Sequence, residues 1–389
     1  MHATAGKKCE TWVVPSATKL LILSFSPIAT DARVLKQVER FASTYSVTTC
    51  GYGPRPDGVD EHIQIPDEVP ANDLNGRLIT LHLYSRAYWS LGAVTWARKA
   101  LAGHPFDVIL ANDVETVPLA LHLAPAQGVH ADLHEYSPRL HAEFEGWLRR
   151  IAPYYEWLCK RYVSKAQSWT TVGEGLAKEY ERNFGFRPLL VTNAAPFADV
   201  APQPVGEPIR LVHSGAALRK RNIHTLIAAV TGSPADVTLD LYLTANDPAY
   251  LAELRQGADE SDRITLHDPV PYSDLVRTLN AFDVGVHFLP PVNFNNEWAL
   301  PNKMFDYVQA RLGIVVGPSA EMAKYVDRFE LGAVATDFSI DALRAAIAGL
   351  TVDSVSAYKA NADAAARELS AGPQVDVWDG CIARLAGRA

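Results

Sequence analysis

Cysteine is scarce in this chain: four in 389 residues, Cys9, Cys50, Cys159 and Cys381, scattered and never set as a C-x-x-C pair. That excludes a disulfide frame and a zinc knuckle, and fits free thiols in a reducing, cytoplasmic compartment. Long apolar runs are missing too. No stretch approaches the roughly 18 apolar residues that cross a bilayer. The opening residues, MHATAGKKCETWVVPSATK, hold no apolar signal core, so export is not expected and residues 1–18 read as a loose tail. An excess of positive charge is absent as well: 36 Lys and Arg against 44 Asp and Glu leave a formal net charge of −8. No face dense in cations is available to neutralise a phosphate backbone, so nucleic acid is not an expected partner. Nor does any Asp-x-Asp stand at the end of an apolar run to hold a divalent ion.

What is present is a composition of 48% hydrophobic and 21% charged residues, ordinary for a globular protein. At 389 residues the chain exceeds one common core, so two domains are expected. Short apolar runs alternate with helical periodicity. KLLILSFSP leads into TDARVLKQVERFAS; SVTTCGYG, DVILAND, VHADLHEYSPR, SWTTVG and PLLVTNAAPF follow, with helical segments between several of them. The Pro- and Gly-rich ADVAPQPVGEP then reads as a linker. The rhythm restarts at IRLVHSG and runs through DVTLDLYLTAN, RITLHDPVP, DVGVHFLPP, GIVVGP and GAVATD. Strand and helix alternating at this pitch predict parallel βαβ units. The expectation is an α/β protein of two doubly wound Rossmann-like domains facing a central cleft. Residues 19–199 and 209–351 form the domains and 200–208 the linker, while helices in 352–389 pack back on the first domain. WLRRIAPYYEWLCKRYVSKA reads as one long helix.

Ligands in such folds lie outside the carboxyl ends of the strands. After IRLVHSG come Gly215, then Arg219, Lys220 and Arg221. A glycine there lets a ligand approach the backbone, and cations before a helix N-terminus suit a diphosphate. The competing reading is a solvated basic loop. In EWALPNKMFDYVQARLGIVVG a helix opens at Pro301, with Lys303 and Asp306 three apart on one face. A carboxylate so placed accepts hydrogen bonds from vicinal hydroxyls, as acidic residues do for ribose in dinucleotide sites. Cations for a diphosphate and an acid for a ribose describe a nucleotide-diphosphate pocket; an exposed intrahelical ion pair is the plainer alternative.

LPNKMFDYVQARLGIVVGPSAEMAKYV resembles the donor-binding segment of GT-B glycosyltransferases of the family 4 type. HSGAALRKRNIHTLIAA is similar to their phosphate loop, with Arg221 at the basic position, and RITLHDPVPYSDLV to their base-binding loop around Val270 and Pro271. SFSPIATDARVLKQVERF and ADLHEYSPR resemble one branch of that family in the first domain. The resemblance implies a retaining hexosyl transfer from a nucleotide-diphospho-sugar without metal or other cofactor, in cell-envelope or natural-product glycan assembly. The acceptor would be a glycan, a lipid-linked sugar or a small molecule. It further implies that Arg221 and Lys303 carry the charge growing on the leaving diphosphate, that Asp306 holds the ribose, and that His134 faces the donor sugar. Glu297 and Asn302 would meet that sugar, and Asp31, Arg33 and Glu135 the acceptor, with Lys36 beside them on the Arg33 helix face.

The sequence departs from the family in two places. Many relatives carry a glutamate eight positions before the ribose acid, where Trp298 stands here and Glu297 lies one residue further off. Either the loop bulges so that Glu297 grips the sugar, or this branch dispenses with it. The acceptor-side Gly-Gly is replaced by SPIATDARVLK. The helix carrying Trp147, Arg149, Arg150, Tyr154, Tyr155, Trp157, Lys160, Arg161 and Tyr162 mixes cations and aromatics, a pattern seen on peripheral membrane surfaces. With Glu143, Glu145 and Glu156 interspersed, aromatics packed on the sheet beneath solvated charges is the preferred reading. Membrane contact, if any, would be at the inner face. Two other function classes stay open: a nucleotide-sugar 2-epimerase on the same plan, and a non-catalytic nucleotide-sugar-binding subunit.

Overall fold

The run KLLILSFSP forms strand β1, Lys19–Pro27, in which Leu20 to Leu23 are wholly buried, as a parallel strand covered on both faces requires. β2 (Ser46–Tyr52), β3 (Glu61–Gln64), β4 (Val108–Asn112), β5 (Gly128–Leu133), β6 (Ser168–Thr171) and β7 (Leu189–Leu190) complete a parallel sheet. Its order is β3-β2-β1-β4-β5-β6-β7. A second parallel sheet holds β8 (Ile209–Ala216), β9 (Val237–Thr244), β10 (Ile264–His267), β11 (Val284–His287), β12 (Gly313–Val316) and β13 (Gly332–Val334), ordered β10-β9-β8-β11-β12-β13. Both orders reverse direction once, between β1 and β4 and between β8 and β11, and crevices open at such switch points. The expected pair of doubly wound α/β domains is therefore what the chain builds. The computed structural model describes residues 17–388; apart from its last two residues, the expected N-terminal tail lies outside them.

Alternation along β1 sorts the first core. Leu20 and Ile22 pack with Val34, Val38 and Phe41 of the helix Ala32–Phe41, while Leu21 and Leu23 face Tyr88, Tyr154 and Leu158. That helix starts at Asp31, whose carboxylate accepts from the backbone N–H of Arg33 and Val34 at 3.0 and 3.2 Å, an N-cap.

Three local expectations differ from what forms. The single long helix is two, Glu145–Arg150 and Ala152–Arg161. Pro153 lacks an N–H to donate and so favours the start of a helix over its interior. PLLVTNAAPF keeps only a two-residue strand. The C-terminal helices divide their packing between the domains. Val352–Ala365 lies on the second domain, with Val355 in its core and Lys359 Nζ donating to Phe282 O at 2.6 Å. Only Ala371–Leu385 crosses back, burying Trp378 and Ile382 against Leu20 and Ile22.

The domains also meet beneath the cleft. Trp298 of the second packs on the first-domain core and occupies the space a Cβ on Gly175 would need. Asn295 Oδ1 accepts from Tyr136 N at 2.8 Å, and Glu321 Oε1 from Gly175 N at 2.6 Å.

Candidate active site

β8 ends at Gly215, whose φ of +146° disfavours any side chain. Space forbids one as well: an added Cβ would sit 2.6 Å from Lys303 Nζ and 3.3 Å from Arg221 Nη1. Two cations therefore converge over one bare stretch of backbone. Lys303 arrives on the first turn of the helix Asn302–Gln309, with Pro301 at the cap. Arg221 closes the short turn Arg219–Arg221 before the helix Ile223–Thr231. Among the described residues neither cation has a hydrogen-bonding or ion-pair partner. Burial and the neighbouring Arg221 lower Lys303 to about 8.

One turn along, Asp306 is 2% exposed. Burial raises its carboxyl to about 6 against the pull of Lys303. Tyr272 Oη donates to its Oδ1 at 3.3 Å. Lys303 and Asp306 are thus not a solvated surface pair. They line a cavity of about 230 Å³ together with Gly215, Val270, Asn302 and Tyr272. Pro271 caps the helix Tyr272–Leu279 at its edge. Beneath the cradle, His213 and His287 stack across the β8/β11 switch point, planes 3° apart and centroids at 5.8 Å. His213 Nδ1 reaches Val286 O at 2.8 Å, while its Nε2 and both nitrogens of His287 have no partner among the described residues. Burial, then Lys303, keeps both imidazoles neutral.

The other predicted donor-side residues separate. Arg219 turns away to Glu253, at 2.5 and 2.8 Å, and lies over Tyr250. Lys220 is exposed and near enough to Glu135 to act on its carboxyl across the cleft. Glu297 is exposed on the short helix Phe294–Glu297 and does not line the cavity. The loop does not bulge toward the donor side; Trp298 is instead spent on the domain contact.

In the first domain, His134 follows β5. Its Nε2 lies 3.2 Å from both Asp132 Oδ2 and Asn112 Oδ1, and its Nδ1 lies 3.5 Å from Asp113 Oδ2. Burial opposes a charge here, but Asp113 and Asp132 outweigh it and hold the imidazole above its ordinary value. Of the two ring nitrogens, Nε2 makes the hydrogen bond, to Asn112 Oδ1, and the two carboxylates favour the protonated ring. Arg33, expected at the acceptor, is 7% exposed and committed elsewhere. It donates to both Asp132 oxygens at 2.7 Å and to Val191 O at 2.8 Å, and stacks on Trp378. Asp31 is a helix cap, also accepting from Ser26 Oγ at 2.8 Å. Lys36 donates to Ala194 O, and burial and Arg33 lower it to about 8 while Asp306 pulls the other way. Glu135 keeps access to solvent, yet desolvation by the surrounding protein, then Asp113, raises its carboxyl. Of the aromatic helix, Tyr154 and Tyr155 are buried and Trp147 stacks on Tyr155 at 5.9 Å. Phe144 and Leu148 stay exposed. No helix of the described residues is long and apolar enough to cross a membrane.

Sequence reasoning missed Tyr272, the His213–His287 pair, Asn112 at the end of β4, and Asp113 and Glu115 after it. The histidines had a signal: a polar residue ending each of two apolar runs, IRLVH and DVGVH.

No family model matches the chain, and no curated protein matches it. Solved structures do. HepE from Anabaena, in complex with UDP and glucose, is 15% identical over 94% of this chain and 100% of its own, with a TM-score of 0.66. Sucrose-phosphate synthase from Thermosynechococcus elongatus is 14% identical over 94% and 98%, at 0.69. The α,α-trehalose 6-phosphate synthase from Burkholderia multivorans is 12% identical over 95% and 99%, at 0.67. The fold is GT-B. At these identities it is the GT-B architecture that is shared: two domains about a central cleft, across which Lys220 of the second acts on Glu135 of the first.

Proposed function

We propose that this GT-B protein is a glycosyltransferase of the family 4 type. It would move a sugar from a nucleotide-diphospho-sugar to an acceptor hydroxyl with retention of configuration and without a metal. The observation that carries the reading is the convergence of Lys303 and Arg221, without anionic partners among the described residues, over Gly215, with Asp306 one helical turn away. Two partly buried cations set this close without a counter-ion repel each other, and that cost is relieved when a ligand supplies the anion. A diphosphate beside a ribose does so, and the neutral histidines below add no competing charge.

In the transfer, the bond from anomeric carbon to diphosphate oxygen breaks and the acceptor oxygen bonds to that carbon. The acceptor proton leaves on the diphosphate. Lys303 and Arg221 stabilise the charge growing on the leaving group, the electrostatic contribution that usually dominates such sites. They take the place a divalent ion fills elsewhere, which supports the metal-free reading. A His134 held as a donor is unsuited to accept the acceptor's proton, which supports retention over displacement by a general base. HepE is named with UDP and with UDP-glucose, so UDP-glucose is the first donor to test. The three described cysteines are free and buried, in keeping with a cytoplasmic setting. The inward-packed aromatics speak against membrane contact.

The deciding experiment is calorimetric titration of UDP, GDP, dTDP and ADP into wild type and Lys303→Ala. Binding of one of them that is lost in the variant is expected. No heat from any of the four refutes the reading.

A further inference from the structure

A second cavity, of about 190 Å³, opens in the first domain at the carboxyl ends of β1 and β4. Part of the lining is polar: Ser24 and Ser26 from β1, and Asn112, Asp113 and Glu115 from β4 and the turn after it. Apolar and aromatic residues complete the lining, Leu74, Leu91 and Tyr155 among them. Asn112 and Asp113 are the residues that hold His134, so the cavity adjoins the reacting side of the cleft. Such a volume, lined by polar groups together with apolar and aromatic ones, suits a single sugar-like ring.

Its charge is one-sided. Asp113 and Glu115 line it and no Lys, Arg or His does. Among the described residues Glu115 has no ion-pair partner, and burial together with Asp113 pushes its carboxyl up to about 7. A separate observation points to a missing ligand. Tyr154, 1% exposed, lines the same cavity, and its buried hydroxyl has no hydrogen-bond partner among the described residues. A buried hydroxyl left unpaired is costly, and the residue that carries it borders the cavity.

We propose that this cavity binds the acceptor, and that the acceptor is a polyhydroxylated amine, an amino sugar or aminocyclitol, and not a sugar phosphate. Its ammonium lies between Glu115 and Asp113, and its hydroxyls meet Ser24, Asn112 and Tyr154. The amine is a handle only. A hydroxyl oxygen of the acceptor forms the new glycosidic bond, its proton departs on the diphosphate, and the ammonium stays protonated throughout. A phosphate ester would meet two carboxyls on a lining that carries no Lys, Arg or His, and like charges repel. The inference rests on the transferase reading above.

The test uses the full chain loaded with UDP, titrated with glucosamine, glucose and glucose 6-phosphate. Glucosamine should bind about tenfold or more tighter than glucose, the scale of one charge-assisted hydrogen bond, and glucose 6-phosphate should not bind. Glu115→Gln should bring glucosamine to the level of glucose, and Asp113→Asn, an independent variant, should lower the same preference. Tyr154→Phe should weaken both sugars and leave their ratio intact. Absence of glucosamine binding, binding of glucose 6-phosphate at or above glucosamine, or an unchanged preference in both acid variants overturns the proposal. UDP binding in the same samples separates the two readings. UDP bound without amine preference sinks this inference alone, while no UDP binding sinks both.

Discussion

The charges gathered at the strand ends of the two domains are treated in opposite ways. In the first, Arg33, Asp132, Gln37, Asn112 and His134 form a closed network. Asp132 alone takes contacts from Arg33, Gln37, Thr170 and His134. Burial opposes its charge, yet Arg33 and His134 hold it well below the usual carboxylate range. In the second, Lys303 and Arg221 face each other over Gly215, and three imidazole nitrogens beneath them lack partners. Satisfied charge holds a scaffold in register, and unsatisfied charge marks where something else must bind. Arg33, buried, and Lys303, partly buried, belong to different halves of that contrast.

The strongest challenge to the comparison is to break the closed network. Arg33→Met strands Asp132 in the interior, and removing one partner of a buried pair costs about 3–5 kcal/mol. Urea unfolding should show that loss, with nucleotide affinity retained in whatever remains folded. Next, Lys303→Ala or Arg221→Ala should lower kcat/KM about a hundredfold to a thousandfold, as loss of one transition-state donor does, while the urea midpoint holds or rises. Should either variant instead unfold the protein and leave the folded fraction active, the contrast between the domains is wrong.

Gly215→Ala sharpens the point without removing a charge. The added methyl displaces Lys303, and misplacement of that size costs up to about a hundredfold in rate, read as a fall in kcat/KM at unchanged fold. Nucleotide affinity should also be bell-shaped in pH. Lys303 must be protonated to draw the diphosphate, so binding weakens as pH rises past about 8. Asp306 must be ionised to accept ribose hydroxyls, so binding weakens as pH falls below about 6. Calorimetry from pH 5 to 9 checks both arms, and Asp306→Asn should erase the acidic one. The smallest effect belongs to Arg219→Ala. Its exposed pair with Glu253 is of the kind that contributes little, and activity and melting temperature should match wild type.

Much of the fold was legible because buried parallel strands read as apolar runs: KLLILSF, DVILAN, DVGVH and GIVV all became strands. β3, Glu61–Gln64, escaped because an edge strand of sequence EHIQ carries no apolar signature. The cradle was legible because a glycine at a strand end and a proline-led helix are local signals. Which neighbour a cation chooses is not local. Arg219, Lys220 and Arg221 are consecutive, yet one turns to Glu253, one faces Glu135 and one reaches Gly215. Arg33 finds Asp132 across 99 residues of chain, a pairing that no spacing within its own helix announces. Nor does the sequence decide between a bulged loop at Glu297 and a dispensed glutamate, for the same reason: the partner of Trp298, Gly175, lies on another domain.

That tryptophan fixes more than a contact. Its residue belongs to the segment that leads directly into the Lys303 helix, while its ring is wedged into the opposite domain. The two halves are tied at that point, so an opening of the cleft has to turn about that contact or break it. Enlarging Gly175 would move the fulcrum, and with it the spacing between the bound nucleotide and whatever receives its sugar.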